Sequence, residues 1–136
     1  MKKYYKVVTF DLQSCSVVKL AVQYNLNTEI KPKNNSKLFV FDKLLRAKQF
    51  RANYGGHIYS CHVTNPTKPV NFMPNFMPNM YYHNSKFWSL YRKAKKQKRD
   101  ASKVIYKNAS KLKLSYNRWP EGTIWVDSVT LLKNVQ

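Results

Sequence analysis

Acid is what this sequence has least of: Asp11, Glu29, Asp42, Asp100, Glu121 and Asp127 are its only carboxylate side chains, against 25 Lys and Arg, which leaves a net charge of +19. Hydrolysis by a carboxylate pair therefore has few residues to draw on. Asp42 reads as a helix cap and Asp100 as a counter-charge on a basic helix. Asp127 reads as a charge on the solvent face of a strand, with a functional acid as the alternative. Glycine is as scarce, at positions 55, 56 and 122 alone, so a Gly-rich phosphate cradle is excluded.

Cysteine is limited to Cys15 and Cys61, far apart in sequence, which fits neither a disulfide framework nor a CxxC metal pair and predicts reduced thiols. His57, Cys61 and His62 lie close together, with Cys15 or His83 as further donors, but alternation along a strand would put Cys61 and His62 on opposite faces. No metal site and no cofactor is expected. A Cys61–His nucleophilic pair lacks the third group that would orient it. Long apolar runs are missing too. The start, MKKYYKVVTFDLQSC, is basic, but its apolar piece breaks at Asp11, so it does not read as a signal peptide. Nothing later is long enough to span a bilayer. The expectation is a soluble cytoplasmic protein with no membrane partner.

What is present is a core. Apolar residues make up 43% and aromatics 15%, enough buried surface to offset the entropy of ordering one domain over 1–136. YYKVVTF reads as a first strand, VVKLAVQYNL as a second extended piece, and NTEIKPKNNSK as a surface loop. LFVF reads as a buried strand. Asp42 follows as the N-cap of a helix from Lys43, with Leu44, Ala47, Phe50 and Tyr54 on its inner side and Gly55-Gly56 as its stop. HIYSCHVT alternates as a strand, placing Tyr59, Cys61 and Val63 on one face. TIWVDSVTLL, Thr123 to Leu132, reads as one last strand. The order predicts an α+β fold: a single compact domain with a mostly antiparallel sheet and two helices, the second long and basic.

Two segments carry the functional expectations. Residues 65–83 hold NFMP twice in tandem and four prolines, which predicts a loop. Its Phe72, Met73, Phe76, Met77 and Met80 either pack over the core or present an adaptable apolar surface to a partner. Residues 85–109 predict a basic amphipathic helix. Phe87, Tyr91, Ala94, Ala101 and Ile105 form its apolar stripe, with RKAKKQKR, Arg92 to Arg99, on the wet side.

A solvated helix face ordinarily mixes signs, yet no acid occurs between Lys86 and Arg99. Lys86, Arg92, Lys93, Lys95, Lys96, Lys98, Arg99 and Lys103 are therefore candidate phosphate contacts, with Tyr82, Trp88 and Trp119 as stacking candidates. The bland alternatives are a solvated face and a coding bias that inflates Lys, Asn and Tyr together. No zinc finger, homeodomain or RNA-recognition signature is present, so binding would be led by the backbone of the nucleic acid.

Four pieces, YYKVV, LFVFDKLLRAKQF, HIYSCHVTNP and WPEGTIWVDSVTLL, together resemble a group of small phage and large DNA virus proteins. The resemblance spans roughly half of the chain in separate pieces. It implies a viral or phage accessory protein in the host cytoplasm, with one α+β domain and no catalytic residue. The expected function is non-enzymatic binding of nucleic acid or a nucleoprotein. Inhibition of a host defence such as a CRISPR effector is one use of it. The alternative partner is an acidic host protein surface gripped by the NFMP loop. A small transferase or nuclease of unrecognised type is the third class.

Overall fold

The computed structural model describes residues 2–14, 22–33, 36–69, 81–100, 103, 119 and 121–135, and at 54 and 81–87 the backbone alone. The described residues of 1–15, 20–69 and 120–136 form one compact unit, and those of 70–119 another. The first unit holds β1 (Tyr4–Val8), β2 (Glu29–Ile30), β3 (Leu38–Phe41), α1 (Leu44–Tyr54), β4 (His57–Thr64), β5 (Thr123–Val126) and β6 (Ser128–Asn134). The second unit holds α2 (Tyr81–Lys96). The six strands form one antiparallel sheet in the order β2-β6-β4-β1-β3-β5, so the fold is α+β, with two named helices among the described residues.

The apolar pattern sets which residues face which way. Val7, Phe41, Ala47 and Ile58 form a cluster where Leu44 and Phe50 of α1 meet the sheet. Val8, Leu38, Val40, Cys61, Val126, Val129 and Leu131 point to the opposite face and pack with Val22 and Tyr24. Tyr59, Cys61 and Val63 share that second face as their spacing predicts, while Ile58 joins the first.

Asp127 alone separates β5 from β6 in the chain, yet β4, β1 and β3 lie between them in the sheet. The sheet therefore curls on itself. Thr67, just beyond β4, pairs with Trp125 of β5 through two backbone bonds of 2.8 and 2.9 Å, which joins the outer edge of β5 back to the β4 side. The strand expected over 123–132 is thus two strands meeting at a corner. Its first part borders β3, with Leu38 opposite Val126, and its second borders β4, with Thr64 opposite Ser128; a straight strand could not border both.

Two local expectations are corrected. Lys43, not Asp42, occupies the N-cap of α1, and no side chain caps it. The Asp42 backbone N–H is taken by the Gly122 carbonyl at 3.2 Å, which ties this residue to the approach to β5, and its Oδ1 is buried without a hydrogen-bond partner. The segment read as a surface loop contains β2, whose Glu29 and Ile30 pair with Thr130 and Val129. Of the expected extended piece VVKLAVQYNL, residues 17–21 lie outside the described residues; the described part makes an isolated bridge, Gln13 to Gln23, beside backbone bonds from Ser14 to Val22 and from Tyr24 to Leu12. The Gly55-Gly56 stop holds. Gly55 donates to Arg51 at 2.7 Å, and Gly56 sits at φ +100° so close to Val8 that a Cβ there would lie 2.2 Å from the Val8 carbonyl oxygen.

Candidate nucleic-acid interface

α2 begins at Tyr81, four residues before the expected start at 85, and stops at Lys96, well short of 109. Its end falls inside RKAKKQKR. Lys98 takes a left-handed φ of +55°, its N–H donates to the Lys95 carbonyl at 3.1 Å, and the Arg99 N–H donates to the Ala94 carbonyl at 2.8 Å. This pair of bonds is the Schellman ending of a helix, which satisfies carbonyls that the last turn would otherwise leave open. Glycine or asparagine ordinarily fills the left-handed position; a lysine does so here. Asp100 then accepts from the Lys103 N–H at 3.3 Å, the geometry of an N-cap, and Lys103 is helical. The long uninterrupted helix is therefore broken at 97–100.

The break sorts the expected site residues. Arg92, Lys93, Lys95 and Lys96 are exposed on the last turns of α2, Lys98 and Arg99 are exposed on the cap, and Lys103 is exposed beyond it. Arg92, Lys93 and Lys96 fall within about 100° of helix arc. Ala94, a member of the expected apolar stripe, is buried against Leu90 and Tyr91. Lys95 holds its ammonium 5.7 Å from the centre of the Tyr91 ring.

Trp88 requires correction: it is 3% exposed and meets Tyr91 edge-on at 5.9 Å, so packing rather than base stacking occupies its indole. Trp88 thus adds a second apolar position beside the stripe. Trp119 is half-buried. The Tyr82 and Lys86 side chains, and Phe72, Met73, Phe76, Met77 and Met80 entirely, lie outside the described residues.

Three of the scarce acids are engaged in the first unit, where Asp127 accepts from Lys37, Glu121 from Arg46 at 2.8 Å and Glu29 from the Ser128 hydroxyl at 3.2 Å, whereas Asp100 accepts from the Lys103 backbone within the segment itself. Part of the cation excess at the end of α2 is favoured simply by the negative pole of the helix dipole. That pole cannot account for a lysine in the strained Lys98 position, where stability alone would favour glycine.

Other chemistry gains little support from geometry. Burial pushes the Cys61 thiol up to about 12, with the nearby Lys6 ammonium pulling weakly the other way, so the thiolate is disfavoured. His62 is exposed while Cys61 is buried. Among the described residues no three His, Cys, Asp or Glu side chains gather into a metal-binding group. Asp127 is neither a free surface charge nor an isolated acid. Lys37, before β3, and Asn65, after β4, both donate to its carboxylate, the latter at 2.9 Å, and lower its pKa from the ordinary value against the opposing effect of burial. Sequence reading missed both partners, which lie 90 and 62 residues away.

Lys6 was missed for a different reason: an alternating strand pattern with a lysine in it reads as having a wet face. Instead Lys6 is buried, donating from Nζ to the Phe39 carbonyl at 2.7 Å near the Tyr24 and Phe39 rings. β1 and β3 share the single register pair Tyr5–Phe41, and the ammonium reaches a β3 carbonyl beyond it. Lys6 therefore has a structural occupation in this state.

Compared with protein-family models, with curated proteins and with solved structures, the chain shows no significant match.

Proposed function

We propose that this protein binds nucleic acid, or a nucleoprotein through its nucleic-acid component, with the broken basic helix as its phosphate-contacting surface and with no chemical step of its own. Arg92, Lys93, Lys95, Lys96, Lys98, Arg99 and Lys103 supply the charge. The observation that carries the reading is Lys98, a cation kept in a left-handed position where it costs stability, near the end of a segment with no acid from Lys86 to Arg99. Self-repulsion in a chain of net charge +19 is relieved on meeting a polyanion. Within the viral accessory setting implied by the four sequence pieces, the nucleic-acid component of a host defence complex such as a CRISPR effector is one target for this charge.

Salt dependence tests it. With about six phosphate contacts, affinity for a duplex should fall with a log–log slope of about −5. Replacing Lys95, Lys96 and Arg99 with Glu should flatten that slope and lose most of the binding at moderate salt. A slope unchanged by the triple replacement, or no binding at moderate salt, would return the segment to a solvated helix end.

A further inference from the structure

The proposal above leaves the form of the nucleic acid open, and the side chains of the broken helix bear on it. Proteins that hold single strands without sequence preference combine a cationic track with aromatic faces on which successive bases stack. Here the described aromatics of the segment are already engaged. Trp88 is 3% exposed with its ring edge-on to Tyr91, and Tyr91 is half-buried with the Lys95 ammonium 5.7 Å from its ring centre. Trp119 is half-buried and already in contact with other groups. Among the described side chains of the segment, what is presented outward is chiefly charge.

That charge is compact. Arg92 to Lys96 rise about 6 Å along the helix axis, and the Schellman turn holds Lys98 and Arg99 immediately beyond, fixed by the bonds from Lys98 to Lys95 and from Arg99 to Ala94. A compact, ordered set of cations matches a rigid ligand with closely spaced phosphates. A duplex carries one charge per about 1.7 Å of axis, twice the density of one strand, and it is already ordered. A single strand would have to be ordered by the protein, and the described aromatics, already engaged, offer little stacking to offset the loss. The set is also dominated by lysine, at 93, 95, 96, 98 and 103, which acts as a point charge on phosphate, whereas bidentate reading of base edges is chiefly the work of arginine and the amides.

From this we infer that the broken helix takes duplex nucleic acid in preference to single strands and does so without reading bases. The inference rests on the nucleic-acid reading given above. Counterion release gives a slope of about −0.9 per contact on a duplex and about −0.7 on a single strand, so six contacts differ by about 1.2 in slope. Over the roughly 0.8 decades from 1 M to 0.15 M salt this corresponds to a preference on the order of tenfold.

The test is fluorescence anisotropy of the full chain with a short labelled DNA duplex, with each of its strands alone, and with a second duplex of unrelated sequence, repeated with Lys93→Glu, Lys96→Glu and Lys98→Glu combined. The expected result is about tenfold tighter binding to the duplex, affinities for the two duplexes equal within about twofold, and loss of both in the variant. Single strands bound as tightly as the duplex or more so, or a marked difference between the two duplexes, would overturn the inference and leave the nucleic-acid reading standing. No binding to any of these probes, nor to an RNA duplex of the same sequence, would remove that reading and the inference with it.

Discussion

Take away the Asp127 carboxylate and the corner between β5 and β6 loses its two side-chain donors at once. Asp127→Ala removes an ion pair with Lys37 and a hydrogen bond from Asn65, and leaves both donors without their acceptor. The side chains of Lys37 and Asp127 are 23% and 39% exposed, so the pair belongs near the upper end of the surface range, at about 0.5–1 kcal/mol, and not with buried pairs. The Asn65 bond adds about 0.5–1 kcal/mol. The expected cost is therefore about 1–2 kcal/mol, with a Lys37–Asp127 coupling of about 0.5–1 kcal/mol in a double-mutant cycle using Lys37→Met, read by urea unfolding. The pH dependence has a definite sign. Because the folded state holds this carboxyl below its ordinary value, its stabilisation is complete above about pH 4 and fades as pH drops through the lowered folded value, as protons compete for the carboxylate. Wild type and Asp127→Ala should thus converge in acid, and high salt should shrink the coupling. A coupling of zero, or a stability gap that persists undiminished in acid, would refute the seam described for Asp127.

Three further outcomes follow from local geometry. Lys98→Gly should raise stability by about 1 kcal/mol by relieving the left-handed backbone, while lowering the salt slope of duplex binding by about 0.9; thermal unfolding and salt titration read the two effects separately. Gly56→Ala should cost about 2–4 kcal/mol in urea unfolding, since the added Cβ meets the Val8 carbonyl at a φ that side chains rarely adopt. In a Cys15→Ser background, the Cys61 thiol should resist a disulfide reagent at pH 8 until the protein is unfolded, because burial keeps it protonated until about 12; rapid reaction in the native state would contradict the packing around it.

The parts of the fold that were legible in sequence are those decided by near neighbours. LFVF and HIYSCHVT carry a strand period between punctuating residues, and Gly55-Gly56 ends α1 with the backbone freedom such an ending needs. Elements set by distant partners were not legible. β2 is two residues long and exists through its pairing with β6, and the corner at Asp127 depends on Lys37 and Asn65 far along the chain. The cap of α1 moved to Lys43 while the Asp42 backbone is held by Gly122, again a long-range contact. In the candidate interface the cations were visible as composition, and all those described are exposed. The end of α2 was not visible, because Lys98 does the work of a glycine without looking like one.

The curled sheet also bears on how the chain acquires its fold. β3 finds its outer neighbour in β5 and β4 finds its own in β6, with Leu38 opposite Val126 and Thr64 opposite Ser128, so both edges wait for residues made long after them. Pairings between such distant segments are slow to form, because a large loop must close before any bond compensates for it. During synthesis β1, β3, α1 and β4 can assemble while two strand edges stay open, the condition in which chains associate with one another. The excess of positive charge, whatever else it serves, keeps those unfinished chains apart.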